Sequence, residues 1–166
     1  DSKKLSEKNR FKILEVLNLH QTSFRTPAVL KLGSSEVKLL TWEMDHDVID
    51  RENILGASLR AMKEAAMELS EMNEEKSLVL IDGNKSFRWD KESRFEEVTI
   101  IQGDSKSKLI GLASILAKFV RDEHMKKMHE LYPVYGMDKH AGYPTESHRK
   151  ALEVHGPSPI HRKTFK

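Results

Sequence analysis

Two aspartates sit where acidic chemistry is easiest to build. Asp82 closes the apolar run Leu78-Val79-Leu80-Ile81 and is followed by Gly83, while Asp104 follows Val98-Thr99-Ile100-Ile101 and Gly103. Each carboxylate therefore falls where a hydrophobic strand leaves its sheet, and ligands of open α/β sheets gather at such strand ends. Hard cations such as Mg²⁺ and Mn²⁺ take oxygen ligands, and two-metal phosphodiester chemistry needs several carboxylates converging on one place. A plainer reading stays open. Asp-Gly is a common turn, and Asp104 suits the N-cap of the helix that follows.

A third aspartate is excluded by helix geometry. Asp122 lies 18 residues after Asp104, which on a continuous helix is five turns and ~27 Å. It is expected to pair with a neighbouring Lys or Arg on the surface. The eight histidines include no HxxxH pair of the kind zinc favours on a helix. His140 and His161 are expected to be structural, or peripheral contacts to phosphate.

Ser6 caps a helix over roughly 6–19 with Phe11, Ile13, Leu14 and Leu17 as its apolar stripe. Residues 28–32 and 37–42 read as two strands split by Gly33-Ser34-Ser35. Asp50 is placed to cap a helix over roughly 51–72, with Ile54, Leu55, Leu59, Met62, Ala66 and Leu69 facing inward. After the two acidic strands comes a helix over about 106–130, with Leu109, Ile110, Ala113, Leu116, Phe119 and Val120 inward. A short helix near 146–154 follows, between glycine and proline turns. These elements alternate as one α/β domain does, and no internal repeat divides the chain.

Composition narrows the classes. With no cysteine, disulfides, zinc–thiolate sites and thiol catalysis are excluded, as a reducing cytoplasm allows. No apolar run approaches the ~18 residues of a membrane span. Net charge is only +2, but residues 1–12 hold five Lys/Arg against two acids, and residues 139–166 hold six against two. Folded to one side, these ends make a footprint for a polyanion; left apart, they are solvated surface charge.

The ordered motifs are more specific. Asp1-Ser2-Lys3-Lys4-Leu5-Ser6, residues 53–62 (NILGASLRAM), Leu80–Asn84 (LIDGN), residues 103–122 (GDSKSKLIGLASILAKFVRD), residues 140–148 (HAGYPTESH) and residues 156–165 (GPSPIHRKTF) together resemble bacterial ribonuclease HII. The long run at 103–122 is the most discriminating, and it argues against a ribonuclease HIII or a Holliday-junction resolvase.

The resemblance implies an RNase H-like fold, a central mixed β-sheet flanked by helices, as a single catalytic domain over 1–166. It implies cleavage of the RNA strand of RNA/DNA hybrids, and cutting 5′ to ribonucleotides embedded in duplex DNA, leaving 3′-hydroxyl and 5′-phosphate ends. In the family four carboxylates hold two divalent ions, Mn²⁺ or Mg²⁺. Asp82 matches the third acid and Asp104 the fourth. Tyr143 matches the tyrosine that packs on the sugar beside the ribonucleotide; an aromatic suits that stacking, and the 2′-hydroxyl marks the RNA side. Ser2 and Lys3 match a motif near the nucleic-acid backbone, where short donors and an ammonium suit phosphate oxygens. A cytoplasmic monomer with no membrane partner is implied. Read without the resemblance, Tyr143 is a turn or core aromatic, and Ser2 and Lys3 are a cap and solvated charge.

One family feature is absent from the sequence. No adjacent Asp-Glu followed by a Gly-Arg-Gly loop occurs, although in the family that strand supplies two ligands and grips the 2′-hydroxyl. Residues 21–36 also lengthen the usual path to the next strand. The expectation is that the first strands lie ahead of Asp1, and that these 166 residues alone are inactive. A catalytically inactive nucleic-acid-binding module of the same fold is the alternative.

Overall fold

A computed structural model describes residues 4–70, 76–89 and 93–164, and Ser2 and Lys3 lie outside them. Helix α1 (Glu7–Val16) starts where the Ser6 hydroxyl accepts the Asn9 N–H at 3.2 Å, as the sequence predicts. Leu14 is fully buried, whereas Phe11 is 41% exposed, with its ring leaning toward Phe119. Strands β1 (Ala28–Leu32) and β2 (Ser35–Leu39) form an antiparallel hairpin. The added stretch 21–36 is therefore largely hairpin. Its Ala28 and Leu30, with Val37, pack on a core of Leu14, Leu19, Leu39, Leu116, Phe119 and Val120.

Helix α2 (His46–Ser70) starts earlier than the sequence predicts and breaks at Asn53 (φ 62°, ψ 169°). Asn53, not Asp50, caps the second half, its Oδ1 accepting from the Leu55 and Gly56 N–H groups at 3.0 and 3.1 Å. Asp50 is drawn elsewhere, accepting from the Lys163 N–H at 2.8 Å and from the Thr164 hydroxyl. Of the expected inward stripe, Ile54, Leu55 and Met62 are exposed.

The acidic strands are β3 (Ser77–Asp82) and β4 (Phe95–Ile100), paired in parallel from Ser77↔Phe95 to Asp82↔Ile100. The expectation of one central mixed sheet is met only in part: among the described residues the four strands form two separate pairs. Leu78 and Val98 remain exposed on the parallel pair, while Ile81 is buried.

The long helix is also divided. Short α3 (Gly103–Lys106) ends at Ser107, whose extended backbone (φ −116°, ψ 127°) opens α4 (Lys108–Leu131). The Ser107 side chain caps α4, so Asp104 is not its N-cap. The new register buries Ile110, Leu116, Phe119 and Val120 as expected, but leaves Leu109 and Ala113 exposed. A 3₁₀ turn (Pro133–Tyr135), α5 (Met137–His140) and α6 (Glu146–His155, capped by Thr145) complete the chain.

Candidate metal site and nucleic-acid contact

Asp82 is the last residue of β3, and it is held there from across the sheet. Its Oδ1 accepts the backbone N–H of Gly103 at 2.8 Å. The parallel register sets this up: Asp82 lies opposite Ile100, and the chain turns at Gln102 in a left-handed conformation (φ 56°, ψ 42°) to start α3. Asp104 follows in the first turn of α3, where a carboxylate is favoured by the exposed amide dipoles. The structure thus brings Asp82 against the residue adjoining Asp104.

Two glycines permit this approach. A Cβ on Gly103 would meet the Ile110 Cδ1 at 2.8 Å and the Asp82 Oδ1 at 3.3 Å. A Cβ on Gly111 would meet the Asp104 carbonyl oxygen at 3.0 Å, so the first turn of α4 rests on the backbone of Asp104. In the sequence Gly103 is legible only as turn punctuation. Its closeness to Asp82 follows from strand register, which no single segment encodes.

The donor set consists of carboxylate oxygens, which suits a hard divalent cation. Asp82 is exposed, and one of its oxygens is taken by the Gly103 amide. Among the described residues no group of three or more His, Asp or Glu could enclose a metal ion. A Mg²⁺-like ion is commonly held by one or two carboxylates, keeps several waters and completes its shell with substrate phosphate. A second ion needs further ligands.

Asp122 is committed to structure. It accepts from Lys118 one turn earlier on α4 at 2.5 Å, and from Arg10 on α1 at 3.1 Å. The expected basic partners are present, but the cluster is largely buried between helices rather than on open surface, with 14% of the Asp122 side chain exposed. The break at Ser107 removes the premise of one continuous helix from Asp104.

Tyr143 lies in the loop between α5 and α6, against α4. The residue is 56% exposed, with the Lys118 ammonium 5.7 Å and the Arg121 guanidinium 5.2 Å from its ring centroid. Arg121 also donates to the Ala141 carbonyl at 2.8 Å. An exposed aromatic face beside two cations is a surface on which a sugar or base can stack while phosphates are screened. The sequence reading named Tyr143 but neither cation, although both lie in the 103–122 run. His140 is buried, as a structural residue would be, and so is His148, which the sequence reading did not single out.

No described helix is long and apolar enough to cross a membrane. A family model described as Ribonuclease HII matches residues 1–166. Among curated relatives, the Ribonuclease HII of Nitrosomonas europaea is 41% identical over 165 residues, covering 99% of this chain and 66% of the relative. That of Bacteroides thetaiotaomicron is 39% identical over 168 residues, covering 99% of this chain and 72% of the relative. That of Idiomarina loihiensis is 41% identical over 169 residues, covering 99% and 76%. The chain spans between about two thirds and three quarters of the length of these relatives. With a family-model match over residues 1–166 and about 40% identity to curated relatives over 99% of the chain, the chain belongs to the ribonuclease HII family.

Proposed function

We propose that the protein is an endoribonuclease that cuts the RNA strand of RNA/DNA hybrids and cuts 5′ to ribonucleotides embedded in duplex DNA, leaving 3′-hydroxyl and 5′-phosphate ends. The observation that carries this reading is the Asp82–Gly103 hydrogen bond at 2.8 Å, which anchors a strand-end carboxylate beside Asp104. In this reading residues 1–166 are one RNase H-like catalytic domain, acting as a cytoplasmic monomer. Asp82 and Asp104 are two of the four metal-holding carboxylates. Divalent Mn²⁺ or Mg²⁺, when bound, activates the attacking water and stabilises the leaving oxygen. The Gly103 amide fixes the Asp82 carboxylate so that it does not have to reorganise when a cation arrives. Tyr143 stacks on the sugar beside the ribonucleotide, flanked by Lys118 and Arg121, and Ser2 and Lys3 contact the phosphate backbone.

The second reading, for these residues taken alone, is a catalytically inactive nucleic-acid-binding module of the same fold. The test is a duplex carrying one ribonucleotide, incubated with Mn²⁺ or Mg²⁺. An extended chain that places an Asp-Glu pair and a Gly-Arg-Gly loop ahead of Asp1 should cut 5′ to the ribonucleotide, and Asp82→Asn or Asp104→Asn should abolish cutting. Binding without cutting by the extended chain supports the module reading. Cutting that survives Asp82→Asn refutes the assigned site.

A further inference from the structure

The loop that presents Tyr143 is tied to three histidines, which play no part in the metal site. Gly142 donates its N–H to the His140 Nδ1 at 3.2 Å, and the His140 Nε2 lies 2.8 Å from the Tyr135 carbonyl. The His148 Nδ1 lies 3.0 Å from the Tyr143 carbonyl, and its Nε2 lies 3.1 Å from the His161 Nε2. The His161 Nδ1 lies 3.1 Å from the Ser158 N–H and 2.7 Å from the Ser158 hydroxyl. The His140 and His148 rings stack at 4.5 Å, and Tyr135 closes the group by donating its hydroxyl to the Gly156 carbonyl at 2.8 Å.

These contacts fix the protons without further assumption, because a backbone N–H only donates and a carbonyl only accepts. The Gly142 N–H makes the His140 Nδ1 an acceptor, so its proton sits on Nε2 and is donated to Tyr135. The Ser158 N–H likewise makes the His161 Nδ1 an acceptor, so the His161 proton sits on Nε2 and is donated to the His148 Nε2. His148, accepting at Nε2, carries its proton on Nδ1 and donates it to the Tyr143 carbonyl. All six ring nitrogens are matched only when the three rings are neutral. An extra proton on any ring sets donor against donor: at Gly142, at His161 or at Ser158.

We propose that His140, His148 and His161 form a relay of positioning residues that holds the Gly142–Tyr143 backbone, and with it the junction-reading ring, only while all three imidazoles are neutral. This rests on the reading of Tyr143 as the residue that stacks beside the ribonucleotide. Gly142 takes φ +78°, where a Cβ would approach the Met125 Cε to 3.2 Å, and Ala141 before it takes φ 47°, a left-handed conformation that costs a residue with a side chain, so the loop depends on a backbone conformation that needs outside support. Among the described residues, Tyr135 from the 3₁₀ turn packs on His148 and His161 and on His155 of α6, His46 from α2 acts on His161, and Lys118 and Arg121 from α4 lie over the Tyr143 ring. Burial, then the neighbouring His148, hold the His161 imidazole below its ordinary value, in keeping with a neutral ring at neutral pH.

The test is ¹⁵N NMR of the imidazoles in the 166-residue chain, with a pH titration of the Tyr143 amide and carbonyl. The expected tautomers are Nε2–H for His140 and His161 and Nδ1–H for His148. The Tyr143 signals should move with the midpoint of the trio. In His148→Asn the amide nitrogen replaces Nδ1 as donor, so the Tyr143 signals should keep their neutral-pH position and lose that titration. His148→Ala should shift them at every pH. A different tautomer at His148, or Tyr143 signals indifferent to both substitutions, overturns the relay. The substrate reading is judged separately: His148→Ala should lower the preference for a single-ribonucleotide duplex over all-DNA duplex by roughly two- to tenfold, the worth of one hydrogen bond. If Tyr143→Ala leaves that preference unchanged, the reading of Tyr143 fails, while the tautomers still decide the relay.

Discussion

The Asp82 carboxylate and the Gly103 backbone are 2.8 Å apart, joined by a hydrogen bond that links the ends of two parallel strands. That bond ties the position of one acid to the backbone that carries the other. It also leaves no room for a side chain, since a Cβ on Gly103 would lie 2.8 Å from Ile110 and 3.3 Å from the carboxylate.

Gly103→Ala is therefore expected to disturb the site and the fold together. Ile110 can shift its terminal methyl, but the Asp82 bond must lengthen. Overpacking of this kind costs about 1–3 kcal/mol, and at roughly 2–4 °C per kcal/mol the loss is visible in a thermal melt. Gly111→Ala, at 3.0 Å from the Asp104 carbonyl, should give a smaller change of the same sign. Unchanged melting of Gly103→Ala would show that the contact yields freely.

Asp122→Asn separates structure from chemistry. The side chain is 14% exposed and bonded to Arg10 and Lys118, so the substitution removes one charge-assisted bond from each of two poorly hydrated cations. The expected cost is about 2 kcal/mol, between an exposed pair and a fully buried one. Urea unfolding should report it, while Mn²⁺ affinity should stay at the unsubstituted value. A fall in Mn²⁺ affinity with stability intact would move Asp122 into the metal site.

Asp50 makes the C-terminal segment acid-sensitive. Hydrogen bonds from the Thr164 hydroxyl and the Lys163 N–H hold its carboxyl down at about 2. A carboxyl lowered on folding stabilises the folded state above its ordinary value of 3.8, and that stabilisation is lost as pH falls toward 2. Asp50→Ala should remove this acid dependence and speed hydrogen exchange at Lys163 and Thr164 at neutral pH. Exchange unaffected by the substitution would mean that the segment is held by something else.

Tyr143→Ala should leave the domain folded, because the residue is 56% exposed and the core lies elsewhere. Its effect should fall on discrimination. Loss of one stacking contact weakens binding to a single-ribonucleotide duplex by about 1–3 kcal/mol. Fluorescence anisotropy against all-DNA duplex checks this, and equal loss on both duplexes would make Tyr143 a general contact rather than a reader of the junction.

The sequence made the strand-end placement of Asp82 and Asp104 legible, because short apolar runs closed by glycine mark strands that end abruptly. The caps were harder. Asp50 and Asn53 are three residues apart, as are Asp104 and Ser107, and each is a competent N-cap. What decided the first choice was Thr164, over a hundred residues away in the chain. What decided the second was the claim of β4 and the Asp82 bond on the residues before Ser107. His148 was missed for a similar reason: its partners, Tyr143 and His161, meet it only after the tail folds back.

The most direct test of the site is where a paramagnetic ion settles. Mn²⁺ added to the ¹⁵N-labelled chain should broaden amide signals around Asp82, Gly103 and Asp104 first, at weak affinity befitting two carboxylates. Asp82→Asn and Asp104→Asn should each remove that focus. Broadening centred elsewhere, or a focus that survives both substitutions, would contradict the assignment of Asp82 and Asp104 as metal ligands.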